Sequence, residues 1–158
     1  MSYDVGIIDQ APVTVASVRI HTDLAHIGED IGRGFSALMA AIAGQAVTAS
    51  GPPLTVYLDV IDEHTEGDIE VCVPVAGTLS SDAEVSTREL AGGSMAATLH
   101  QGPYDQIGPA YQAVIDWITE QGHAVAGPPR EVYLNDPQAV PPEDLLTRVE
   151  FPIFAAAH

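Results

Sequence analysis

The chain contains no lysine, and its five basic residues are all arginine, at positions 19, 33, 88, 130 and 148. They are scattered against 22 acidic residues, so the formal net charge is −17. With no basic patch, the phosphate neutralisation that drives nucleic-acid binding is missing, and nucleic acid is excluded from the expected partners. An anionic membrane surface is excluded on the same ground. Such a field attracts cations and repels anions, besides keeping a protein soluble. Cysteine occurs once, which excludes an internal disulfide framework. Cys72 lies inside Val71-Cys72-Val73, where a buried, inert thiol is expected. No apolar run approaches the roughly 18 residues of a membrane helix. The start, Met1-Ser2-Tyr3-Asp4, lacks the basic-then-apolar order of a signal peptide, so a soluble, cytoplasmic protein is expected. The six histidines (21, 26, 64, 100, 123 and 158) form no close metal-binding pair, and no metal site is expected. There is no phosphate loop, dinucleotide fingerprint or serine elbow, hence no expected cofactor.

What is present describes a folded domain. At 158 residues the chain fits a single domain, 1–158, large enough to bury roughly 70% of its unfolded surface. Hydrophobic content of 46% with 14 Gly and 12 Pro indicates a packed core and many turns. A β-rich run, Val13 to Ile20, follows Pro12. Ile27, Ile31, Phe35, Leu38 and Ile42 then form one apolar stripe, predicting a helix that stops at Gly44, with polar residues 21–26 available to cap it. Gly28, Gly32 and Gly34 weaken that helix by roughly 1 kcal/mol each relative to Ala. A strand over 54–60, an acidic turn near Asp62–Asp68 and a strand Ile69–Val75 complete the first half. In the second half, a short extended stretch around Glu84–Leu90 precedes a strand from Ser94 to His100. The turn Gly102-Pro103-Tyr104-Asp105, whose Asp can cap a helix, opens the helical stripe Ile107, Tyr111, Val114 and Ile118, ended by Gly122. Strands 130–135 and 148–153 close the chain.

The second half is a rewriting of the first. Gly127-Pro128-Pro129-Arg130-Glu131-Val132-Tyr133-Leu134 repeats Gly51-Pro52-Pro53-Leu54-Thr55-Val56-Tyr57-Leu58 at an offset of 76. Val149-Glu150-Phe151-Pro152-Ile153 repeats Val71-Cys72-Val73-Pro74-Val75 at an offset of 78. The expected fold is therefore α/β (α+β), a tandem duplication of a strand–helix–strand–strand unit, with repeats at about 12–76 and about 84–155. Two main helices pack on antiparallel sheet. The Pro in each final strand suggests an edge position or a bulge, since Pro cannot donate to a ladder. The copies diverge where Thr55 becomes Glu131. An acid in the middle of a Val/Tyr/Leu strand must be paired, exposed or functional. Alternation puts Glu131 and Tyr133 on one face and Val132 and Leu134 on the other, which suits a helix-covered core.

With this duplication and the string His100-Gln101-Gly102-Pro103-Tyr104, the chain resembles the GyrI-like family of small-molecule-binding domains, found in multidrug-sensing bacterial regulators and as free-standing proteins. Tyr111, Trp117, the Gly127–Leu134 motif with Asp136-Pro137, and Thr147 to Ile153 carry the rest of the resemblance, which runs from Pro12 to Phe154. It implies a ligand cleft on a pseudo-two-fold between the repeats, and a free-standing member, since the chain has no room for a DNA-binding domain. It also implies that Glu131 meets cationic, lipophilic ligands. A carboxylate with aromatic walls suits flat organic cations through charge pairing and cation–π contact. The expected ligand-binding residues are Glu131, Tyr133, Tyr57, Tyr104, Tyr111, Trp117 and Phe151, with ordinary core packing equally expected of Tyr111. The expected function is binding and sequestration of drugs or toxins. Free-standing members that hydrolyse cyclopropane-containing compounds make a hydrolase the alternative, with catalytic Glu131 and possible assistants Tyr133, Tyr104 and Glu150. The register decides whether Glu131 faces Glu150, as an acid–base pair, or Phe151. A second alternative is an acidic module that inhibits a partner protein.

Overall fold

The computed structural model describes residues 3–45, 47–77 and 85–154; Glu84, the first residue of the expected extended stretch, lies outside them. In chain order the elements are β1 (Gly6–Gln10), β2 (Val13–Thr22), α1 (Ile27–Ala43), β3 (Thr48–Ala49), β4 (Leu54–Tyr57), β5 (Gly67–Ala76), β6 (Ser86–Leu90), β7 (Gly93–Gln101), α2 (Gly108–Glu120), β8 (Ala124–Val125), β9 (Arg130–Tyr133) and β10 (Leu146–Phe154). Two 3-10 turns, Tyr104–Gln106 and Pro142–Asp144, complete them. Among the described residues no helix is long and apolar enough to cross a membrane.

The chain forms two compact units, Pro12–Ala91 and Met1–Ala11 with Gly92–His158. Within the first, the antiparallel order is β4-β5-β2-β6, with β3 also on β5. Within the second it is β9-β10-β7-β1, with β8 also on β10. The expected mixed α/β class, antiparallel sheet and two main helices are what the structure shows. The leading strands are exchanged: β1 pairs with β7 instead of the adjacent β2, and β6 pairs with β2 instead of the adjacent β7. β1 was not expected, and its five residues carry little pattern of their own.

The helix stripes bury as their spacing requires. Leu38 and Ile42 of α1 join Ala16, Val18, Ile69, Val71, Val73 and Val75 in one core, with Ile27, Ile31 and Phe35 packed against it. Val114 and Ile118 of α2 join Ala96, Val149, Phe151 and Ile153 in the other. Gly34 lets α1 approach the sheet, since a Cβ there would stand 3.0 Å from Val71 Cγ2 and 3.1 Å from Ile20 Cδ1. Gly44 caps α1 as expected, and Gly122, at φ 75°, follows the capping residue Gln121 of α2. Asp105 does not cap α2. The 3-10 turn intervenes, and the capping position is Ile107 with no side-chain bond.

The prolines overturn the edge-strand expectation, because β5 and β10 are interior strands. Pro74 and Pro152 sit where one neighbour ends and another begins: β4 pairs up to Cys72 and β3 resumes at Val75. The missing N–H falls in that gap, and the carbonyls receive Ser50 N–H at 2.8 Å and Ala126 N–H at 2.7 Å.

Candidate functional site

Period-two alternation puts Glu131 and Tyr133 on one face of β9, and the register with β10 identifies that face. Glu131 lies opposite Val149, and Tyr133 opposite Thr147. Val149, Phe151 and Ile153 are the residues of β10 in the core with α2. Glu131 therefore looks towards the helix, which corrects the expectation that Val132 and Leu134 do so. Val132 lies opposite Arg148 on the other face, and Leu134 follows the strand's last residue and is exposed. Alternation separates two faces; only the neighbouring strand shows which one a helix covers.

Glu131 is 7% exposed and is held from two sides. The Tyr111 hydroxyl, on α2, donates to Glu131 Oε2 at 2.5 Å. The Tyr133 hydroxyl donates to Oε1 at 3.2 Å, long for an O–H···O bond and the weaker of the two. Tyr111 meets Phe151 edge-on at 5.9 Å between centroids, and Tyr133 meets Tyr104 edge-on at 5.6 Å. Burial first, then the negative charges of Glu131 and Asp136, push the Tyr104 phenol above its usual value, so it keeps its proton. The result is a buried carboxyl group bonded by two tyrosine hydroxyls whose rings meet further aromatic rings, an arrangement suited to an organic cation.

Glu150 does not join it. It lies opposite Arg130 on the other face, 2% exposed, and accepts from Arg148 Nε at 2.9 Å. The anticipated Glu131–Glu150 pair does not form, and the alternative register on Phe151 gives way to Val149. Trp117 packs against the core under α2 and stacks on His123 at 5.7 Å. Tyr57 occupies, in the Pro12–Ala91 unit, the place Tyr133 holds in the other, and packs against the core under α1.

Equivalent positions of the two units show where they have diverged. Ile20, opposite Ile69 in one, corresponds to His100, opposite Thr147 in the other. Thr55, opposite Val71, corresponds to Glu131, opposite Val149. The helical stripes align Phe35 with Tyr111. Three apolar residues and one threonine have thus become His100, Thr147, Tyr111 and Glu131 on one helix-facing surface. His100 is a turn holder, as expected: Nε2 reaches the Pro103 carbonyl and Nδ1 the Tyr3 hydroxyl, both at 3.0 Å. The Tyr3 contact and Thr147 had escaped sequence reasoning. The offset of 78 that aligns the closing strands also places Thr147 on Ile69, a signal present in the sequence.

Among solved structures, the C-terminal domain of EcmrR is 22% identical, with a TM-score of 0.84 over 99% of this chain and 100% of that one. A hydrolase from Listeria innocua is 13% identical, with a TM-score of 0.71 over 95% and 91%. SAV2435, solved bound to tetraphenylphosphonium, is 18% identical, with a TM-score of 0.65 over 98% and 94%. At these identities the likeness is one of fold. No curated protein matches the chain. The family described as the GyrI-like small molecule binding domain matches residues 3–153, nearly all of the sequence that builds both units and the Glu131 surface, and the chain belongs to that family.

Proposed function

We propose that this domain binds hydrophobic organic cations, as a drug- or toxin-sequestering protein does, with Glu131 as the charged contact and Tyr104, Tyr111, Tyr133 and Phe151 as its aromatic surroundings. The observation that carries the reading is a buried carboxylate gathered among tyrosines on a surface where the other repeat has Thr55 and Phe35. A ligand cation replaces the hydration that burial removes and meets ring faces at the same time. The tetraphenylphosphonium bound by SAV2435, a protein of similar fold, is a ligand of this class.

Hydrolysis on the same site asks for a second group that moves a proton. Glu150 is on the opposite face, so Glu131 has no second carboxyl beside it there, and binding without chemistry is the better supported reading.

The test is a calorimetric titration with tetraphenylphosphonium and with neutral triphenylphosphine oxide. Wild type is expected to prefer the cation, and Glu131→Gln to lose roughly tenfold or more in its affinity, the size of one charge-assisted contact. Equal affinity for the two compounds, or an unchanged cation affinity in Glu131→Gln, would sink the assignment.

A further inference from the structure

Among the described residues, the Thr147 hydroxyl is the fully buried side-chain polar atom with no hydrogen-bond partner. Thr147 is 0% exposed. Its strand neighbours are His100 on one side and Tyr133 on the other, so it shares the helix-facing surface with Glu131. Both His100 nitrogens are engaged, by Tyr3 and Pro103, and the Tyr133 hydroxyl is turned to Glu131. Packing does not demand a hydroxyl here, because the equivalent position of the other unit is Ile69, also 0% exposed. A buried hydroxyl without a partner is a net cost, and native proteins keep few of them.

We propose that Thr147 Oγ1 is a specificity-determining contact of the cation site, accepting a hydrogen bond from an N–H group of the ligand. The site then favours protonated amines over quaternary ammonium and phosphonium ions of the same shape and charge. This rests on the assignment of Glu131 as the charged contact. Thr147 and Glu131 are diagonal neighbours across β10 and β9, about 7–8 Å apart, a span that one flat cation bridges. The route is through Tyr133, directly across from Thr147. Its bond to Glu131 Oε1 is the long one, and its ring rests on Tyr104, which is itself 38% exposed. A ligand that displaces the Tyr133 hydroxyl takes over Oε1 and meets the Thr147 hydroxyl on the same face.

The experiment compares acridine orange, whose ring nitrogen carries a proton at neutral pH, with its ring-N-methyl salt, which has the same charge and no N–H there. Dissociation constants are measured by fluorescence for wild type, Thr147→Val, Thr147→Ser and Glu131→Gln, with the melting temperature of each confirming that it is folded. Wild type is expected to prefer acridine orange by roughly tenfold, and Thr147→Val to bring the preference close to one. Thr147→Ser, which keeps the hydroxyl, restores it. Should Thr147→Val not fold, the same comparison is read in Thr147→Ala. If the preference survives loss of the hydroxyl while Glu131→Gln still weakens both dyes, the Thr147 contact is wrong and the Glu131 site stands. If neither dye binds wild type, or Glu131→Gln changes neither affinity, the site itself falls and the Thr147 contact with it.

Discussion

Tyr111 joins the packing of α2 to the polar part of the site. Its ring meets Phe151, and its hydroxyl gives Glu131 the shorter of its two tyrosine bonds. The equivalent residue of α1 is Phe35, so a phenyl ring already packs at this place in the fold. Tyr111→Phe is therefore expected to keep the ring contact and remove a donor from a buried carboxylate, at a cost of about 1–3 kcal/mol. Urea unfolding of the variant checks this, and an unchanged midpoint would mean that the bond contributes nothing net. Part of the site was readable from single residues. Glu131 stood out because an acid is foreign to a Val/Tyr/Leu strand, and the motif brought Tyr104 and Tyr133 with it. Tyr111 was ambiguous because a tyrosine on a core stripe reads as a ring until its hydroxyl has a partner. Thr147 was invisible because a threonine in a strand reads as β-branched packing.

The elements were legible to the extent that their pattern is local. A stripe from Ile27 to Ile42 specifies one helix face whatever the topology, and the structure buries that face. Partner choice is different. Nothing local tells β6 to pair with β2 when β7 is two residues away, and the bond that holds it there is long-range. Arg88 of β6 donates through Nε to Glu70 Oε2 of β5 at 2.5 Å and through a second nitrogen to Oε1. The glycines of α1 divide in the same way, into those that sequence propensity describes and one that packing governs. A Cβ added at Gly32 would meet nothing within 4 Å, whereas one at Gly34 would press on Val71, which is fully buried and stiff at χ1. Gly32→Ala is expected to stabilise by roughly 0.5–1 kcal/mol, a rise of about 2–4 °C per kcal/mol in thermal melting. Gly34→Ala is expected to show no such rise, because the helix gain is offset by overpacking. Equal shifts in the two variants would mean that α1 does not need the close approach.

At the scale of the whole chain, a net charge of −17 makes stability a matter of pH. His21 presents Nδ1 to Asp68 at 2.7 Å and Nε2 to Glu66 at 3.2 Å, while Arg19 also bonds Asp68 at 2.8 Å. Hydrogen bonds to Asp68, then Glu66, raise the His21 value above 6.5. That contribution is complete below 6.5 and is lost as pH rises through the raised folded value. Asp68 is lowered from 3.8 by His21 and then Arg19, so its contribution is complete above 3.8 and is lost as pH falls through the lower folded value. Burial works to raise Glu70 from 4.5, but the bonds from Arg88 and Ser17 outweigh it and hold the carboxyl lower, with the same sign as Asp68. All three contributions are in force between 4.5 and 6.5, where protonation also begins to relieve the repulsion among acidic groups. The melting temperature is therefore expected to be higher at about pH 5.5 than at about pH 8. In His21→Gln the difference between the two should shrink. Added salt should raise melting more at the alkaline end, where unpaired surface carboxylates repel one another unscreened. A melting temperature that climbs steadily from acid to alkaline conditions would show that neither the His21 cluster nor the net charge governs stability.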